Sequence, residues 1–264
     1  MRHRQLPVML AAILLALAAC DSGSNAGSSG QDYSSYETYP GFVDLYWDEQ
    51  GGRLLIRIKN TGAQFLYQSS LPRGVGSNDL GLDRGQLGRT RLVSFERIGP
   101  KVLLVQHNLG YRARSDDASE RQAVTESFAT SVIWGFAIFA EDETGIVVDG
   151  TDFFLRDAHG VAETLAESGE GQFAVDAARS AIYQPRTRAF PDNTEVEAIV
   201  TFAGTATGEY LPTVSPDSGV VTVHMHHSFV RLPDDGYQPI AYDPRAGVIG
   251  FSYDGSGFAD YASE

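Results

Sequence analysis

Cysteine is almost missing from this chain of 264 residues: there is one, Cys20. That excludes a disulfide framework and any cysteine-rich zinc site. Basic side chains are also short, 20 Lys and Arg against 34 Asp and Glu, for a formal net charge of −14. Proteins that grip nucleic acid by neutralising phosphates show the opposite balance, so no nucleic-acid partner is expected. No apolar run reaches the roughly 20 residues of an ordinary membrane span. The helical zinc-protease motif His-Glu-x-x-His is absent, since none of His3, His107, His159, His224, His226 and His227 is followed by Glu. There is no Gly-x-Ser-x-Gly nucleophile elbow either. Gly74-Val75-Gly76-Ser77-Asn78-Asp79 begins like a dinucleotide fingerprint, but Asp79 stands where its third glycine belongs. With 34 carboxylates, sequence spacing cannot select a glycosidase pair.

What is present begins with a targeting pattern. Arg2 and Arg4 precede the apolar run Leu6 to Leu17, which closes on Leu17-Ala18-Ala19-Cys20. That tetrapeptide resembles the bacterial lipobox, in which cleavage precedes a cysteine that then carries lipid. The reading is therefore a lipoprotein signal peptide over residues 1–19, then a lipidated Cys20 and a flexible tether over residues 20–38. Several acyl chains on Cys20 would anchor the protein stably. Residues 21–31 are mostly Ser and Gly, a coil whose root-mean-square reach is roughly 20 Å. The expected location is the bacterial cell envelope, lipid-anchored, with the inner membrane, the outer membrane and the cell surface all open.

The body, residues 39–264, reads as short β runs punctuated by turns. Phe42–Trp47 and Arg53–Lys59 form one hairpin across Asp48-Glu49-Gln50-Gly51-Gly52, and Phe65–Ser69 is a third strand. Arg91–Arg97 and Lys101–His107 form a second hairpin about Ile98-Gly99-Pro100. Asp117 with Glu120 predicts a capping box and a helix, with Ala123, Val124, Ser127 and Phe128 along one side. Ser131–Ala140 is so apolar that a central buried strand is expected. Ile146–Val148 and Phe153–Leu155 continue the series, and a short helix is expected at Val161–Glu167. Glu195–Phe202, Val220–Arg231 and Val248–Tyr253 are the last strands. The expected fold is mainly β, a β-rich α+β body of twisted antiparallel sheets packed as a sandwich, with one or two short helices.

Among candidate sites, His224-Met225-His226-His227 is the sharpest. On a strand His224 and His226 share a face while His227 points the other way. Two histidines at i, i+2 suit a metal, yet no third ligand shows in the sequence. The simpler reading is a polar strand face, with Met225 and Phe229 filling a core behind it. Asp79-Leu80-Gly81-Leu82-Asp83-Arg84-Gly85-Gln86 could take a cation or a peptide terminus. More often such a segment is a tight loop held by its own Asp–backbone and Asp–Arg contacts.

Several blocks occur in a distinctive order. They are Asn78–Gly85, Gln122–Ala129, Ser131–Phe136, Val148–Phe153, Phe190–Glu195, His226–Val230 and Tyr242–Gly247. Together they resemble the N-terminal, non-catalytic region of large bacterial secreted zinc-dependent metalloproteases of the zincin type. The resemblance covers nearly all of residues 39–254. It implies a peptidase domain bearing His-Glu-x-x-His beyond Glu264, with zinc expected only there, so no cofactor and no catalytic residue is assigned to this chain. Besides the membrane at Cys20, it implies as partner a downstream peptidase domain or a peptide substrate. A domain that normally covers these sheets would leave an exposed apolar patch near the C-terminus. The alternative is a stand-alone cell-envelope lipoprotein that binds peptide or glycan, with Tyr33, Tyr36, Tyr39 and Tyr237 as exposed contacts.

Overall fold

The computed structural model describes residues 32–111, 113, 115–234 and 236. The signal segment, Cys20, Tyr237, the Tyr242–Gly247 block and the strand expected at Val248–Tyr253 lie outside the described residues.

Strands dominate. They are β1 (Glu37–Tyr39), β2 (Asp44–Asp48), β3 (Arg53–Ile58), β4 (Gln64–Arg73), β5 (Arg91–Ile98), β6 (Lys101–Gln106), β7 (Ser131–Asp142), β8 (Gly145–Asp149), β9 (Gly171–Val175), β10 (Ala181–Ile182), β11 (Arg188–Ala189), β12 (Asn193–Ala206) and β13 (Val220–Arg231). Helices α1 (Ala118–Ser127), α2 (Thr151–Leu155), α3 (Val161–Glu167) and α4 (Leu211–Val214) fall between them. All thirteen strands of the described residues join one antiparallel sheet in the order β1-β2-β3-β8-β7-β6-β5-β4-β13-β12-β10, with β9 and β11 also paired to β12. The sheet does not close, and its curvature makes a sandwich-like body. Local hairpins follow the turn chemistry: Asp48 accepts the Gly51 N–H at 2.9 Å, and Gly52 takes a positive φ of 62°.

β7 turns the sheet. Its first half pairs with β6 and its second half with β8, with register shifts in both ladders. The two ends of the sheet thereby approach each other. Phe42 N donates to Phe190 O at 2.7 Å, and the Thr194 hydroxyl accepts from Val43 N and donates to Val43 O. A buried threonine thus supplies the pairing that a continued ladder would have given.

Two cores fill the inner face. The first is aromatic: Phe65, Tyr67, Phe95, Phe136, Phe153, Phe154 and Phe229 interlock, with Phe153 5.1 Å from Phe154 and 5.4 Å from Phe136 between ring centres. The second is aliphatic, with Val221, Val223, Met225, Ala198, Val200 and Phe202 packed under Val161 and Leu165 of α3. Asp157 starts α3 by accepting the backbone N–H groups of Gly160, Val161 and Ala162.

Several expectations need correction. Ser131–Ala140 is central in strand order but not buried on both faces, since only Phe136 and Ala140 are buried along β7. Near its start Val132 is 56% exposed, whereas near its end Phe139 and Ala140 join a small outer cluster with Leu55, Val147 and the ring of Tyr33. Phe153–Leu155 is helical, in α2, and among the described residues the short helices α2 and α4 add to the two expected, α1 and α3. Short apolar runs do not by themselves separate strand from helix. Asp117 caps α1 through Ser119 N at 2.7 Å, yet no residue of α1 is buried, so the side bearing Ala123 and Val124 covers nothing among the described residues. Tyr33, Tyr36 and Tyr39 are half-buried rather than free contacts. Tyr33 Oη accepts from Arg57, Tyr36 Oη accepts from Arg53, and Tyr39 packs on the aromatic core.

Candidate functional site

The β12–β13 ladder positions nearly every residue of interest. It runs in unbroken antiparallel register from Asn193 opposite Val230 to Ala203 opposite Val220. Alternation then gives one face to Val221, Val223, Met225, His227 and Phe229, and the other to Thr222, His224, His226 and Ser228.

On the outer face each histidine meets a glutamate of β12. His224 Nδ1 is hydrogen-bonded to Glu197 Oε1 at 2.6 Å, and His226 Nε2 to Glu195 Oε2 at 2.6 Å. Both contacts are diagonal, because Glu197 lies directly opposite His226 and Glu195 opposite Ser228. Glu195 also accepts from the Ser228 hydroxyl and from Asn193 Nδ2. Burial acts to raise the Glu195 pKa, but hydrogen bonds from His226, Ser228 and Asn193 outweigh it and hold the carboxyl below its ordinary value. The two pairs differ in depth. Glu197 and His224 are 2% and 7% exposed, whereas His226 and Glu195 are only half-buried.

These pairings bear on the two-histidine metal idea. Zinc needs a convergent third and fourth donor. His224 and His226 each turn a ring nitrogen to a different glutamate, and among the described residues no group of three or more His, Cys, Asp or Glu is arranged to hold a metal ion. The set does not fit a zinc centre.

Beside His224 lies a groove of about 680 Å³, walled by Pro72, Arg73, Arg84, Gly85, Arg186 and Glu197. Three segments build it. β4 shifts register against β13 between His224 and His226, so Arg73 sits opposite His224 while Ser70 sits opposite His226. Pro72, which cannot donate to a ladder, falls within that irregularity. The loop after β4 folds back on it: Val75 N bonds Leu82 O at 2.7 Å and Gly85 N bonds Leu71 O at 2.8 Å. Gly74 is required here, since a Cβ would lie 2.0 Å from Leu82 O. The 3₁₀ turn Gln184–Arg186 is the third wall, tied to β12 where Tyr183 N donates to Glu197 O at 2.7 Å. The Tyr183 ring stands edge-on to His224 at 4.9 Å, and the Arg73 guanidinium lies 5.8 Å from the same ring.

The Asp79–Gln86 segment is thus half of what the sequence suggested. It is a tight loop, anchored by the buried Leu80 and Leu82 and by Gln86 donating to Asp83 at 2.6 Å. The expected Asp–Arg contact is not made: among the described residues Arg84 has no acidic partner within 4 Å, and it lines the groove instead.

The chain belongs to the family described as Domain of unknown function (DUF5117). Its family model matches residues 85–262. No curated protein and no solved structure matches the chain. The DUF5117 match takes in β5 to β13, and thus Arg186, Glu197 and His224, while Arg73 and Arg84 precede it. The sheet does not respect that boundary, because β4 lies between β5 and β13. The groove is assembled across it.

On the inner face of the DUF5117 ladder, His227 is 1% exposed between the two cores. Its Nε2 lies 3.1 Å from Phe154 O, an acceptor only, so Nε2 carries the proton. Nδ1 then accepts from the Tyr67 hydroxyl at 2.9 Å, and Tyr67 accepts from Arg156 Nη2 at 3.1 Å. Every donor direction in this buried chain is fixed. Burial holds the His227 pKa at about 3, with repulsion from Arg156 and His226 added. Burial likewise raises the Tyr67 pKa, against the pull of Arg156 and Arg91. This is a structural network, since its titrating groups are closed off from solvent.

Sequence reasoning singled out His224, His226 and Arg84 but missed Arg73, Arg186, Tyr183, Glu195 and Glu197 as their neighbours. One signal was available. Glu195 and Glu197 alternate with core residues at the same i, i+2 spacing as the histidines, which marks two strands that can pair polar face to polar face.

Proposed function

We propose that this chain is the lipid-anchored, non-catalytic N-terminal region of a zinc-dependent metalloprotease-like protein, held at the bacterial cell envelope through Cys20. The observation that carries the reading is the ordered series of blocks from Asn78–Gly85 to Tyr242–Gly247. Its role is to fold, shield or orient a peptidase domain, or to present substrate to it. Zinc and the general base belong to that domain, and no residue of this chain is assigned to the chemistry.

The surface of α1 supports the idea of a covering domain. This helix carries most of the block Gln122–Ala129 and buries none of its own residues. Beside it Tyr111 stacks on Phe128 with ring centres 3.7 Å apart, and Val132 is 56% exposed on the adjoining strand. Exposed apolar side chains gathered next to an uncovered helix are what a neighbouring domain buries.

Mass-spectrometric mapping of envelope extracts tests the reading. Peptides from residues 39–264 should co-migrate with peptides of a His-Glu-x-x-His domain, in one polypeptide or one complex. The homogeneous chain alone should show no peptidase activity. Chelator-sensitive proteolysis by that chain, or its recovery with no peptidase sequence attached or associated, overturns the proposal.

A second reading is favoured by the groove. A stand-alone envelope lipoprotein that binds peptide or glycan needs a concave site with a few convergent polar groups, and 680 Å³ is in the range of ligand sites. Binding of the purified chain to a peptidoglycan, glycan and peptide panel separates this reading from the first.

A further inference from the structure

The groove beside His224 has a charge that the rest of the chain does not. The protein carries a net charge of −14, yet Arg73, Arg84 and Arg186 converge on one concavity. Among the described residues none of the three has an acidic partner within 4 Å or a side-chain hydrogen bond of the kind that ties Arg53, Arg57 or Arg179 to its aspartate. The one carboxylate on the wall, Glu197, is already engaged by His224 at 2.6 Å. Each arginine is also held on a fixed backbone. Arg73 follows the β4 irregularity, Arg84 sits in a loop pinned by Leu80 and Leu82, and Arg186 ends a turn bonded to β12 at Glu197.

Planar guanidiniums that lack carboxylate partners, placed in advance around a cavity, are what oxyanion recognition uses. We propose that this groove binds a small polyanion through its carboxylate or phosphate oxygens, with Arg73, Arg84 and Arg186 as the contacting residues and the Glu197–His224 pair as the positioning floor. The ring of Pro72 on the groove wall gives the ligand's non-ionic part a surface. The inference concerns the groove alone: it is independent of the first reading and names the ligand chemistry of the groove on which the second rests.

Isothermal titration calorimetry on the full chain in detergent tests it, with tri-glutamate peptide and inorganic pyrophosphate as separate probes at low salt. Saturable binding of at least one probe is expected, weakening steeply as salt is added. Arg84→Gln and Arg186→Gln should each weaken it about tenfold, and the triple variant with Arg73→Gln should abolish it. Arg97→Gln, which removes a remote surface arginine paired with Glu141, should leave binding unchanged. Heat from tri-glutamate alone assigns a carboxylate ligand, heat from pyrophosphate alone a phosphate ligand, and heat from both a shared oxyanion site. No saturable binding of either probe overturns the proposal. So does binding that the triple variant keeps, or that Arg97→Gln reduces equally. All three groove arginines are exposed, and equal unfolding midpoints for wild type and variants confirm that folding is not the cause.

Discussion

The two faces of the β12–β13 ladder carry the same residue type to opposite ends. On the inner face His227 is sealed among aromatic rings, neutral, with each ring nitrogen committed. On the outer face, one residue away, His226 pairs with Glu195, and His224 pairs with Glu197 at the edge of an arginine-lined groove. A histidine's role here is set by the parity of its position on the strand. The inner face keeps its histidine neutral and sealed; the outer face is where a ligand can approach.

Four measurements can break or sharpen that contrast. Phe153→Ala removes a fully buried ring that touches Phe136, Phe154 and Phe229, and should cost about 3–5 kcal/mol in urea unfolding. A loss under 1 kcal/mol would mean that the inner face is loosely packed. His224→Ala comes next. It leaves Glu197 buried without its partner and should cost about 2–3 kcal/mol. The purified protein should carry no stoichiometric zinc that this substitution removes; metal analysis showing such zinc would contradict the paired geometry.

The third test is pH. His227 has a folded pKa of about 3 against about 6.5 in an unfolded chain. The unfolded state therefore binds the additional proton between those values. Stability should be full above about pH 6.5 and fall as pH drops toward 3, by up to about 1.4 kcal/mol per unit. Comparing wild type with His227→Gln between pH 6.5 and 4.5 isolates the effect, because the variant should lose that slope. Equal slopes would place the acid sensitivity elsewhere. The smallest effect is expected for His226→Ala, whose pair is half-buried: under about 1 kcal/mol. If it matched His224→Ala, the difference in depth between the two pairs would not be controlling their energetics.

Much of the ladder was legible in advance. Val220–Arg231 and Val161–Glu167 fall where the sequence predicts, because long period-2 alternation and a bounded helical stretch are strong local signals. The face assignments of His224, His226 and His227 follow from the same period. Ser131–Ala140 misled, since apolar content reports a preference for burial and not how much of the strand its neighbours cover. Phe153–Leu155 was ambiguous for a different reason: three apolar residues fit a strand or one helical turn, and packing of both phenylalanines into the aromatic core decided.

The groove could not be read at all from spacing. Arg73, Arg84, Arg186 and His224 are spread over some 150 positions and come together only through the pairing of β4 with β13 and the anchoring of the Gln184–Arg186 turn on β12. The family match begins at residue 85, so it too divides what the sheet joins.

By itself the sequence determined the β-rich character, the strand faces and the candidate histidines, because side-chain period and turn chemistry are local properties of a chain. Only the tertiary structure decided which glutamate each histidine meets, that three arginines converge on one concavity, and that helix α1 is left uncovered among the described residues. Those are outcomes of non-local strand pairing, and register across a sheet is not written in any one segment.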